Sequence, residues 1–522
     1  MRDRQAEAGG RKSVYARSGM VATSQPQAAQ AGLFMLREGG NAVDAAVAAA
    51  IALTVVEPTS NGLGSDAFAI VSDGRELFGL NGSGRLPGAY EPDRKVEMPE
   101  SGWLPVMTPG APRAWHDLHT RFGQLPFARL FEPAIAYARE GFPLSPVVAH
   151  FWRRGAERFQ GSDFRAWQKM FMPEGFEPLP GAVWKSSDLA DTLERIAASG
   201  ARDFYEGTLA RKMDRAARSG GGWLREEDLA GHRSDWVTPW SIAYHDHEVF
   251  ELPPNSQGVV ALEALGILGG SHPFATPPAA HLHDSIEAIK LSFEDALDRV
   301  GDCAESGSAR ELLESGHLAK RREQLGPNPY RFTPPRPFLG GTVYLASADQ
   351  SGLMVSFIQS NYMGFGSGVV IPGTGIALSN RALCFSFQDQ HPNRIGPLRR
   401  SYHTLMPGFL MSGGRPLGPF GVMGGFMQPQ GHLQIVQALV DQGLDPQGAI
   451  DRSRWRWDGG LRIALEPDFP KADARALEAL GHEVVWADSG FGFGRAQVVL
   501  REHGGGFVAG SDSRADGMAV GC

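Results

Sequence analysis

The segment RPFLGGTVYLASADQSGLMVSFIQS, residues 336–360, decides the fold because its pattern changes abruptly at one residue. It begins with prolines and two glycines, Gly340 and Gly341, and prolines this dense exclude a helix or a central strand. From Thr342 onward the residues alternate as in strands, on either side of a turn at QSG, which predicts a β-hairpin. The sequence therefore places a threonine at the first position of a strand, directly behind a flexible connection.

Thr342 has two interpretations. Threonine is common in strands, so a purely structural role is the simpler one. Alternatively, cleavage of the Gly341–Thr342 bond would create an N-terminal threonine, whose hydroxyl attacks while its own α-amine accepts the proton. The pKa of an α-amine is about 7.7–8.0, so a useful fraction is neutral at cellular pH. Glycine at 341 leaves the preceding carbonyl open to attack and tolerates the strained backbone that an acyl shift needs.

A second strong signal is the segment GGNAVDAAVAAAIALTVVEP, residues 39–58, which predicts a helix of small side chains. Asn41 can cap this helix, Asp44 stands three residues further as in a capping box, and Pro58 ends it. Because small side chains allow close packing, we expect the helix to be buried against a sheet.

The rest of the chain divides into a mainly helical part and a strand-rich part. Residues 109–330 carry apolar residues at helical spacing. The clearest stripe consists of Leu282, Ile286, Ile289, Phe293 and Leu297. After residue 342 strands dominate, with one helix predicted at 431–444. Strands with helices on both sides predict an α/β layered architecture.

Composition excludes several classes of protein. The 522 residues are 42% hydrophobic and 21% charged, as in a globular protein with a sizeable core. The formal net charge is −8 without a long run of either sign, which argues against nucleic-acid binding. The longest apolar run contains Asp44 and is shorter than the roughly 20 residues of a membrane span. Residues 1–20 lack the apolar core of a signal peptide, so we expect a cytoplasmic protein without membrane contacts.

No cofactor or metal motif stands out in the sequence. The cysteines Cys303, Cys384 and Cys522 are too far apart for a metal knuckle or a disulfide framework. The motif HLHD, residues 281–284, lies on a predicted helix, where residues two apart point in different directions. The loops GLGSD and GFGSG lack the strand–loop–helix context of a dinucleotide site. We therefore expect neither a metal nor a cofactor.

Several blocks of sequence, in order, resemble the γ-glutamyltranspeptidase family of N-terminal-nucleophile hydrolases. The opening block is GMVATSQPQAAQAGLFMLREGGNAVDAAVAAAIALTVVEP, and the middle blocks include TPGAPRAWHDLHTRFGQLPFARLFEPAIAYAREGFPLS and ELPPNSQG. The block around Thr342, GTVYLASADQSGLMVSFIQSNYMGFGSGVVIPGTGIALSN, and the closing block GSDSRADGMAVGC complete the match. The resemblance implies an αββα four-layer sandwich that is cut autocatalytically between Gly341 and Thr342.

The implied maturation divides the chain into two subunits of one intertwined domain. Residues 20–341 would form the large subunit and residues 342–522 the small subunit, behind a predicted flexible tail at 1–19. The expected partners are the two pieces of the precursor and a small-molecule amide substrate. A dimer of such heterodimers is compatible with the resemblance.

The resemblance assigns the reaction to four residues. Thr342 falls on the family's nucleophile, and Ser360 falls on a hydroxyl near the amine of that nucleophile. Gly424 and Gly425 match the glycine pair whose backbone N–H groups form the oxyanion hole, and bare donors before a helix suit a developing negative charge. The structural alternatives are an ordinary strand serine at 360 and an ordinary turn at 424–425.

Three further residues match positions that bind substrate in the family. Arg85 matches an arginine that grips the substrate carboxylate, for which a guanidinium fork is well suited. His403 and Thr404 occupy the places of the usual Ser-Ser pair of the same pocket. The alternatives are a solvated loop arginine and a structural histidine.

Other positions depart from the γ-glutamyl pattern. Arg381 and Cys384 stand where γ-glutamyl enzymes keep a Gln and an Asp that hold the substrate's ammonium. An arginine offers no acceptor to an ammonium and repels it. Tyr362 replaces a small polar contact, and the segment 387–400 is shorter than in members with a long lid loop. The pattern predicts a pocket that has lost recognition of the glutamyl amine and gained positive charge.

These features resemble the amidohydrolase branch of the family, which includes oxamate amidohydrolases, and less closely the glutaryl-type cephalosporin acylases. We expect hydrolysis of an amide whose acyl group carries a carboxylate and no α-ammonium, through an acyl-Thr342 intermediate. A true γ-glutamyltransferase or glutathione hydrolase is the first alternative, because it shares the same machinery. An unprocessed homologue that only binds ligands is the remote alternative.

Overall fold

The computed structural model describes residues 10–91, 97–269, 278–302, 307–334 and 341–522. Three features of the sequence analysis lie wholly or partly outside these residues. They are the start of the predicted tail, Cys303, and the proline-rich connection up to Gly340. Gly341 and everything after it is described.

The strands of the described chain are, in order, β1 (Val14–Ala16), β2 (Gly19–Thr23), β3 (Asp66–Ser72), β4 (Leu77–Asn81), β5 (Phe142–Pro143), β6 (Val183–Trp184), β7 (Asp235–Val237), β8 (Trp240–Tyr244), β9 (His247–Glu251), β10 (Gly341–Asp349), β11 (Met354–Tyr362), β12 (Val370–Ile371), β13 (Ile376–Ala377), β14 (Gly408–Ser412), β15 (Arg415–Met423), β16 (Trp455–Trp457), β17 (Arg462–Leu465), β18 (Glu483–Trp486), β19 (Arg495–Arg501), β20 (Phe507–Ser511) and β21 (Met518–Gly521).

The α-helices are α1 (Pro26–Arg37), α2 (Ala42–Val56), α3 (Ala111–Phe122), α4 (Glu132–Glu140), α5 (Pro146–Arg158), α6 (Arg165–Phe171), α7 (Ser187–Ser199), α8 (Arg202–Glu206), α9 (Thr208–Gly220), α10 (Glu226–Gly231), α11 (Gly258–Leu268), α12 (Pro278–Arg299), α13 (Ser315–Arg322), α14 (Met427–Val436), α15 (Pro446–Asp451) and α16 (Lys471–Ala479). A π-helical turn, Gln437–Asp441, continues α14. Among the described residues, no helix combines the length and the apolarity needed to cross a bilayer.

Two seven-stranded sheets form the centre of the molecule. The first sheet has the order β21-β2-β10-β11-β3-β4-β7, and the second has the order β1-β20-β19-β15-β14-β9-β8. Helices α1 and α2 cover the outer face of the first sheet, and α11, α14 and α15 cover the second. The layer order is helix, sheet, sheet, helix, which confirms the predicted αββα sandwich.

Side chains of each central strand alternate between two cores. In β10, Val343 and Leu345 belong to the core beneath the helices of the first sheet, whereas Tyr344 and Ala346 belong to the core between the two sheets. This alternation follows from the two-residue period of a strand. In β11, Ile358 likewise faces the space between the sheets. Even-numbered residues of this hairpin therefore face the second sheet.

Helix α2 fits its predicted role closely. The Asn41 side chain accepts the backbone N–H groups of Val43 and Asp44, and the Asp44 carboxylate accepts the N–H of Asn41. Every residue from Ala42 to Val56 is buried. The helix packs on β10 and β11, which confirms the capping box and the burial expected from its small side chains.

The structure also differs from the prediction at the N-terminal end. Residues 14–16, predicted to be part of a flexible tail, form strand β1 and pair with β20 near the C-terminus. A three-residue edge strand has too little periodicity to be recognised from the sequence alone. Its pairing partner is provided by residues almost five hundred positions away, Phe507–Ala509.

Gly421 in β15 controls the spacing between the two sheets. A Cβ atom at this position would lie 2.3 Å from the Tyr344 ring in β10, so Gly421→Ala forces the sheets apart. We expect this substitution to cost about 1–3 kcal/mol of stability. Thermal unfolding of the variant should show a lower Tm than the wild type. Gly231→Ala is the matched control, because a Cβ there meets nothing within 4 Å; equal Tm values for the two variants would contradict the packing argument.

Candidate active site

Thr342 lies at a bulge where the hairpin begins. The register of β10 and β11 pairs Gly341 with Tyr362 and Val343 with Gln359, so it shifts at Thr342. A bulge re-aims the side chain at its position and is common beside active sites. Thr342 is 1% exposed and sits between the two sheets rather than at the surface.

Ser360 connects the Thr342 hydroxyl to the bond that precedes it. The Ser360 hydroxyl donates to the carbonyl oxygen of Gly341 over 2.6 Å and accepts the Thr342 Oγ1 hydroxyl over 3.2 Å. It also accepts the backbone N–H of Tyr362 over 2.7 Å. The single donor and both acceptor positions of the Ser360 hydroxyl are therefore occupied. The arrangement polarises the Gly341 carbonyl beside a hydroxyl that could attack it.

Asp66 is directly opposite Ser360 in the neighbouring strand. The register of β11 and β3 pairs these two residues. Both are even-numbered, like the residues of these strands that face the space between the two sheets. Asp66 Oδ1 accepts the N–H of Gly84 over 2.7 Å, and its Oδ2 lies 3.0 Å from His403 Nε2. The same Oδ2 lies 3.7 Å from Arg381 Nε. Asp66 is therefore the centre of a buried charged network.

The hydrogen bonds of His403 fix its protonation. Its Nδ1 accepts the backbone N–H of Leu405 over 3.2 Å, so Nε2 carries the proton and donates to Asp66. Burial, followed by the charge of Arg381, lowers the pKa of His403 to about 4, against the opposing effect of Asp66. Burial tends to raise the pKa of Asp66, but its bonds with His403 and Gly84 and the charge of Arg381 together lower it. At neutral pH the histidine is uncharged and the aspartate is ionised.

Arg381 is fully buried and only partly satisfied. Its Nη1 donates to Thr404 Oγ1 over 2.8 Å and lies 3.8 Å from Cys384 Sγ, while the guanidinium stacks 4.6 Å above the Tyr362 ring. Among the described residues, Nε and Nη2 have no hydrogen-bond partner. An unmade buried hydrogen bond costs about 1–3 kcal/mol, so these two donors are suited to a ligand. They form the side-on edge of the guanidinium, which matches a carboxylate.

Tyr362 holds its ring beneath Arg381 with an unusual backbone. Its φ is +76°, which is uncommon for a residue other than glycine, and its side chain is buried. The surrounding fold holds this strained backbone conformation next to the bulge at Thr342. Such an outlier is an observation that favours a functional position.

Gly424 and Gly425 connect β15 to α14. Their φ values are +138° and +62°, and a Cβ on Gly424 would lie 3.2 Å from the Gly494 backbone. Residues with side chains rarely adopt these conformations. The carbonyl of Gly425 accepts the Nε2 amide of Gln257 over 3.0 Å. Gln257 also donates to the Thr404 carbonyl over 2.7 Å, so the glycine pair is tied to the wall that holds Arg381.

Arg85 is separate from this cluster. Its side chain is 43% exposed, and Nη1 donates to Asp302 over 3.3 Å and to the Leu398 carbonyl over 3.0 Å. Within the described part of the chain, none of its hydrogen bonds reaches the residues around Thr342. Its backbone neighbour Gly84 does join the network, through Asp66. The other candidate residues of the sequence analysis lie in contact with one another or with Asp66 and Gln257.

Sequence reasoning missed the two residues that join the site together. Asp66 lies in GLGSD, whose glycines resemble a nucleotide loop, and Gln257 lies in the family block ELPPNSQG. A signal for Asp66 existed: it opens an apolar strand on the same face as Phe68 and Ile70. No local pattern distinguishes Gln257.

The described residues contain two clusters with metal-ligating atoms, and each already has a basic side chain beside it. His283, Glu287 and His482 approach one another, with His283 Nδ1 2.8 Å from His482 Nε2. Lys290 donates to Glu287 over 2.6 Å and supplies the positive charge there. The second cluster consists of Glu263, Asp295 and His317, with Arg321 on Asp295. The side chains of His281 and His283, from HLHD, have different partners.

The protonation of His403 makes stability depend on pH. In the unfolded chain the pKa is near 6.5, whereas in the fold it is about 4, so the unfolded chain alone binds a proton between these values. Acidification from pH 6.5 to 4 therefore favours unfolding. We expect His403→Gln to reduce this loss of stability by about 2–3 kcal/mol. Thermal unfolding measured across this pH range, with the exposed His503→Gln as control, checks it; superimposable profiles for wild type and His403→Gln would refute it.

Comparisons with known proteins agree with the arrangement of residues at this site. The family model described as gamma-glutamyltranspeptidase matches residues 28–522. A glutathione hydrolase-like YwrD proenzyme of Bacillus subtilis is 35% identical, with 98% of this chain and 99% of the relative covered. An oxamate amidohydrolase proenzyme of Klebsiella pneumoniae is 32% identical, with 96% and 98% covered. The crystal structure of a cephalosporin acylase from Bacillus halodurans superposes with a TM-score of 0.94 at 46% identity, covering 100% of this chain and 99% of the other.

Proposed function

The chain belongs to the γ-glutamyltranspeptidase family of N-terminal-nucleophile enzymes, and from this premise we propose its reaction and its substrate class. The chain cuts itself between Gly341 and Thr342, and the mature enzyme hydrolyses amides whose acyl group ends in a carboxylate. Oxamate-type amides and half-amides of short dicarboxylic acids are the favoured substrates. The buried Arg381 donors Nε and Nη2, which make no hydrogen bond among the described residues although Nε lies 3.7 Å from Asp66 Oδ2, are the observation that supports the substrate class.

Self-cleavage begins with the Thr342 hydroxyl. Its oxygen adds to the Gly341 carbonyl carbon, which Ser360 polarises through its 2.6 Å hydrogen bond. The C–N bond between Gly341 and Thr342 then breaks, and the nitrogen of Thr342 takes up the proton that its hydroxyl has lost. An ester now links Gly341 to Thr342 Oγ1. Water hydrolyses the ester, which leaves a Gly341 carboxylate and a free α-amine on Thr342. Strands from both products pair in the first sheet, β10 with β2 and β11 with β3, so they stay together as subunits.

Turnover uses the same hydroxyl with its new base. The α-amine takes the proton from Thr342 Oγ1 as the oxygen attacks the substrate amide, and it then protonates the leaving amine. The N–H groups of Gly424 and Gly425 stabilise the tetrahedral oxyanion, for which a single donor is worth about 3–4 kcal/mol in comparable sites. Water then attacks the acyl-Thr342 ester and releases the acid.

Arg381 selects the acyl group. Its Nε and Nη2 donors bind the distal carboxylate side by side, Thr404 fixes Nη1, and Tyr362 supports the guanidinium plane. A bidentate, buried contact of this kind gives both affinity and orientation. Arg85, half exposed and bound to Asp302, is proposed as a weaker second contact nearer the solvent.

Hydrolysis of a γ-glutamyl amide is the second candidate, and Asp66 favours it. This carboxylate lies 3.7 Å from Arg381, so the pocket holds a negative as well as a positive group. An α-amino acid head could then place its carboxylate on Arg381 and its ammonium near Asp66. Against this, both oxygens of Asp66 already accept hydrogen bonds, from Gly84 and His403. Comparison of γ-glutamyl-p-nitroanilide with glutaryl-p-nitroanilide separates the two, because they differ only in the ammonium.

Thr342→Ala should abolish self-cleavage. Denaturing gels of the wild type should show two pieces ending and beginning at 341 and 342, whereas the variant should run as one chain without activity. Ser360→Ala should cleave more slowly, because the carbonyl loses its donor. Ser356→Ala, on the same strand and bonded to Tyr344, is the control and should be processed normally. Two pieces from Thr342→Ala, or an N-terminus other than Thr-Val-Tyr-Leu, would contradict the mechanism.

Arg381→Gln should lower kcat/KM for glutaryl-p-nitroanilide by about 30- to 150-fold, the effect of about 2–3 kcal/mol for a charged hydrogen bond. The uncharged butyryl-p-nitroanilide should change by less than about threefold. Arg85→Gln should lose less than Arg381→Gln, because exposed ion pairs are weak. The surface variant Arg139→Gln is the control. An equal loss on both anilides in Arg381→Gln would mean that Arg381 does not bind the acyl carboxylate.

A further inference from the structure

Gln257 makes hydrogen bonds to both parts of the site. Its side chain is fully buried, and its single Nε2 amide donates to the Thr404 carbonyl over 2.7 Å and to the Gly425 carbonyl over 3.0 Å. Its Oε1 accepts the Tyr402 hydroxyl over 3.3 Å. Both amide protons and one acceptor position are therefore used. The two carbonyls are separated by twenty-one positions in the chain, and this side chain is a direct link between them.

The backbone around Gln257 holds this side chain in place. Residues 255–257 run beside His403, whose N–H donates to the Asn255 carbonyl over 2.8 Å and whose carbonyl accepts the Gln257 N–H over 2.9 Å. Helix α11 begins at the next residue, with Gln257 as its N-cap residue. A side chain that projects from a fixed backbone at a helix start can set the distance between the groups that it binds.

A continuous chain of contacts runs through Gln257. Arg381 donates to the Thr404 hydroxyl, the Thr404 carbonyl accepts from Gln257, and Gln257 donates to Gly425. At one end of this chain are the Arg381 Nε and Nη2 donors that are proposed to bind the acyl carboxylate. The other end carries the peptide beside the oxyanion. The distance between these ends must match the length of the acyl group.

We propose that Gln257 is a positioning residue for acyl transfer, which keeps the Gly424–Gly425 amides in line with an acyl group held by Arg381. This inference rests on the proposed function, because it uses the assigned oxyanion and carboxylate positions. Loss of the two amide hydrogen bonds leaves the Gly425 carbonyl bonded to the Gln428 N–H of α14 over 3.2 Å but no longer ties it to Thr404. Small misplacements of reacting groups are expensive, since about 1 Å can cost a hundredfold in rate.

Gln257→Met tests this directly, because it keeps the length of the side chain and removes both donors. We expect kcat for glutaryl-p-nitroanilide to fall about ten- to a hundredfold, with KM changed less than about threefold. Gln257→Glu is the second variant. A buried, protonated glutamic acid can replace one of the two hydrogen bonds, so its kcat should lie between those of Gln257→Met and the wild type.

The matched control is Gln434→Glu. Gln434 also donates to two backbone carbonyls, those of Gln430 and Trp455, at a distance of 3.0 Å in each case, but none of its hydrogen bonds in the described chain reaches Thr404 or the Gly424–Gly425 pair. Its kcat should stay within twofold of the wild type. A comparable kcat loss in the half-buried Gln434→Glu would show that any glutamine that joins two backbone carbonyls matters equally, and would overturn the proposal.

The dependence of the kcat loss on Arg381 distinguishes a positioning role of Gln257 from a merely structural one. In the Arg381→Gln background the acyl group is no longer anchored, so Gln257→Met should cost at least threefold less in kcat than in the wild-type background. Equal costs in both backgrounds would overturn the proposal. So would a processed Gln257→Met enzyme with kcat within twofold of the wild type, or failure of both Gln257 variants to fold, which would assign Gln257 to stability.

Failure of the proposed function gives a different result. If Arg381→Gln leaves the preference for the carboxylate anilide intact, the proposed acyl contact is wrong. If Thr342→Ala remains active, the nucleophile is wrong. Both results come from variants other than Gln257→Met. They are therefore distinguishable from the result that would overturn the role of Gln257, which is a Gln257→Met enzyme with the kcat of the wild type.

Discussion

The register of three adjacent strands, β10, β11 and β3, is the constraint on which the site depends. It pairs Ser360 with Asp66 and puts the bulge at Thr342, so that hydroxyl, hydroxyl and carboxylate share the space between the sheets. A shift by one residue would turn these side chains into the opposite core, beneath α2. The apolar alternation of the same strands, with Tyr344 and Ile358 toward the second sheet, prevents such a shift.

The charge of Arg381 is tolerated because strand β3 supplies a partner, Asp66. A buried, unpaired cation costs several kcal/mol of stability, and the ion pair with Asp66 offsets this cost. His403 stays neutral because burial and the charge of Arg381 both lower its pKa. The compensating acid is Asp66, whose partner His403 lies 337 positions away. The pocket is consequently charge-paired rather than simply positive.

Local patterns were sufficient to predict much of this molecule. The hairpin behind Thr342, the capped helix α2 and the layer order follow from periodicity, capping and family resemblance, and the structure confirms them. Asp66 and Gln257 could not be assigned in this way, because their roles arise from contacts across the fold. The short strand β1 was missed for the same reason, since its partner β20 is near the other end of the chain.

The distribution of these residues along the chain bears on what the large piece does after cleavage. Thr342, Arg381, Thr404 and the glycine pair follow the proposed cut, whereas Asp66 and Gln257 precede it. A removable prosegment would leave the small piece with a complete site, but here Arg381 would lose its counter-charge and Gly425 its link to Thr404. The part before Thr342 is therefore a component of the site itself. In the proposed function, acyl recognition and chemistry therefore each use residues from both sides of the proposed cut.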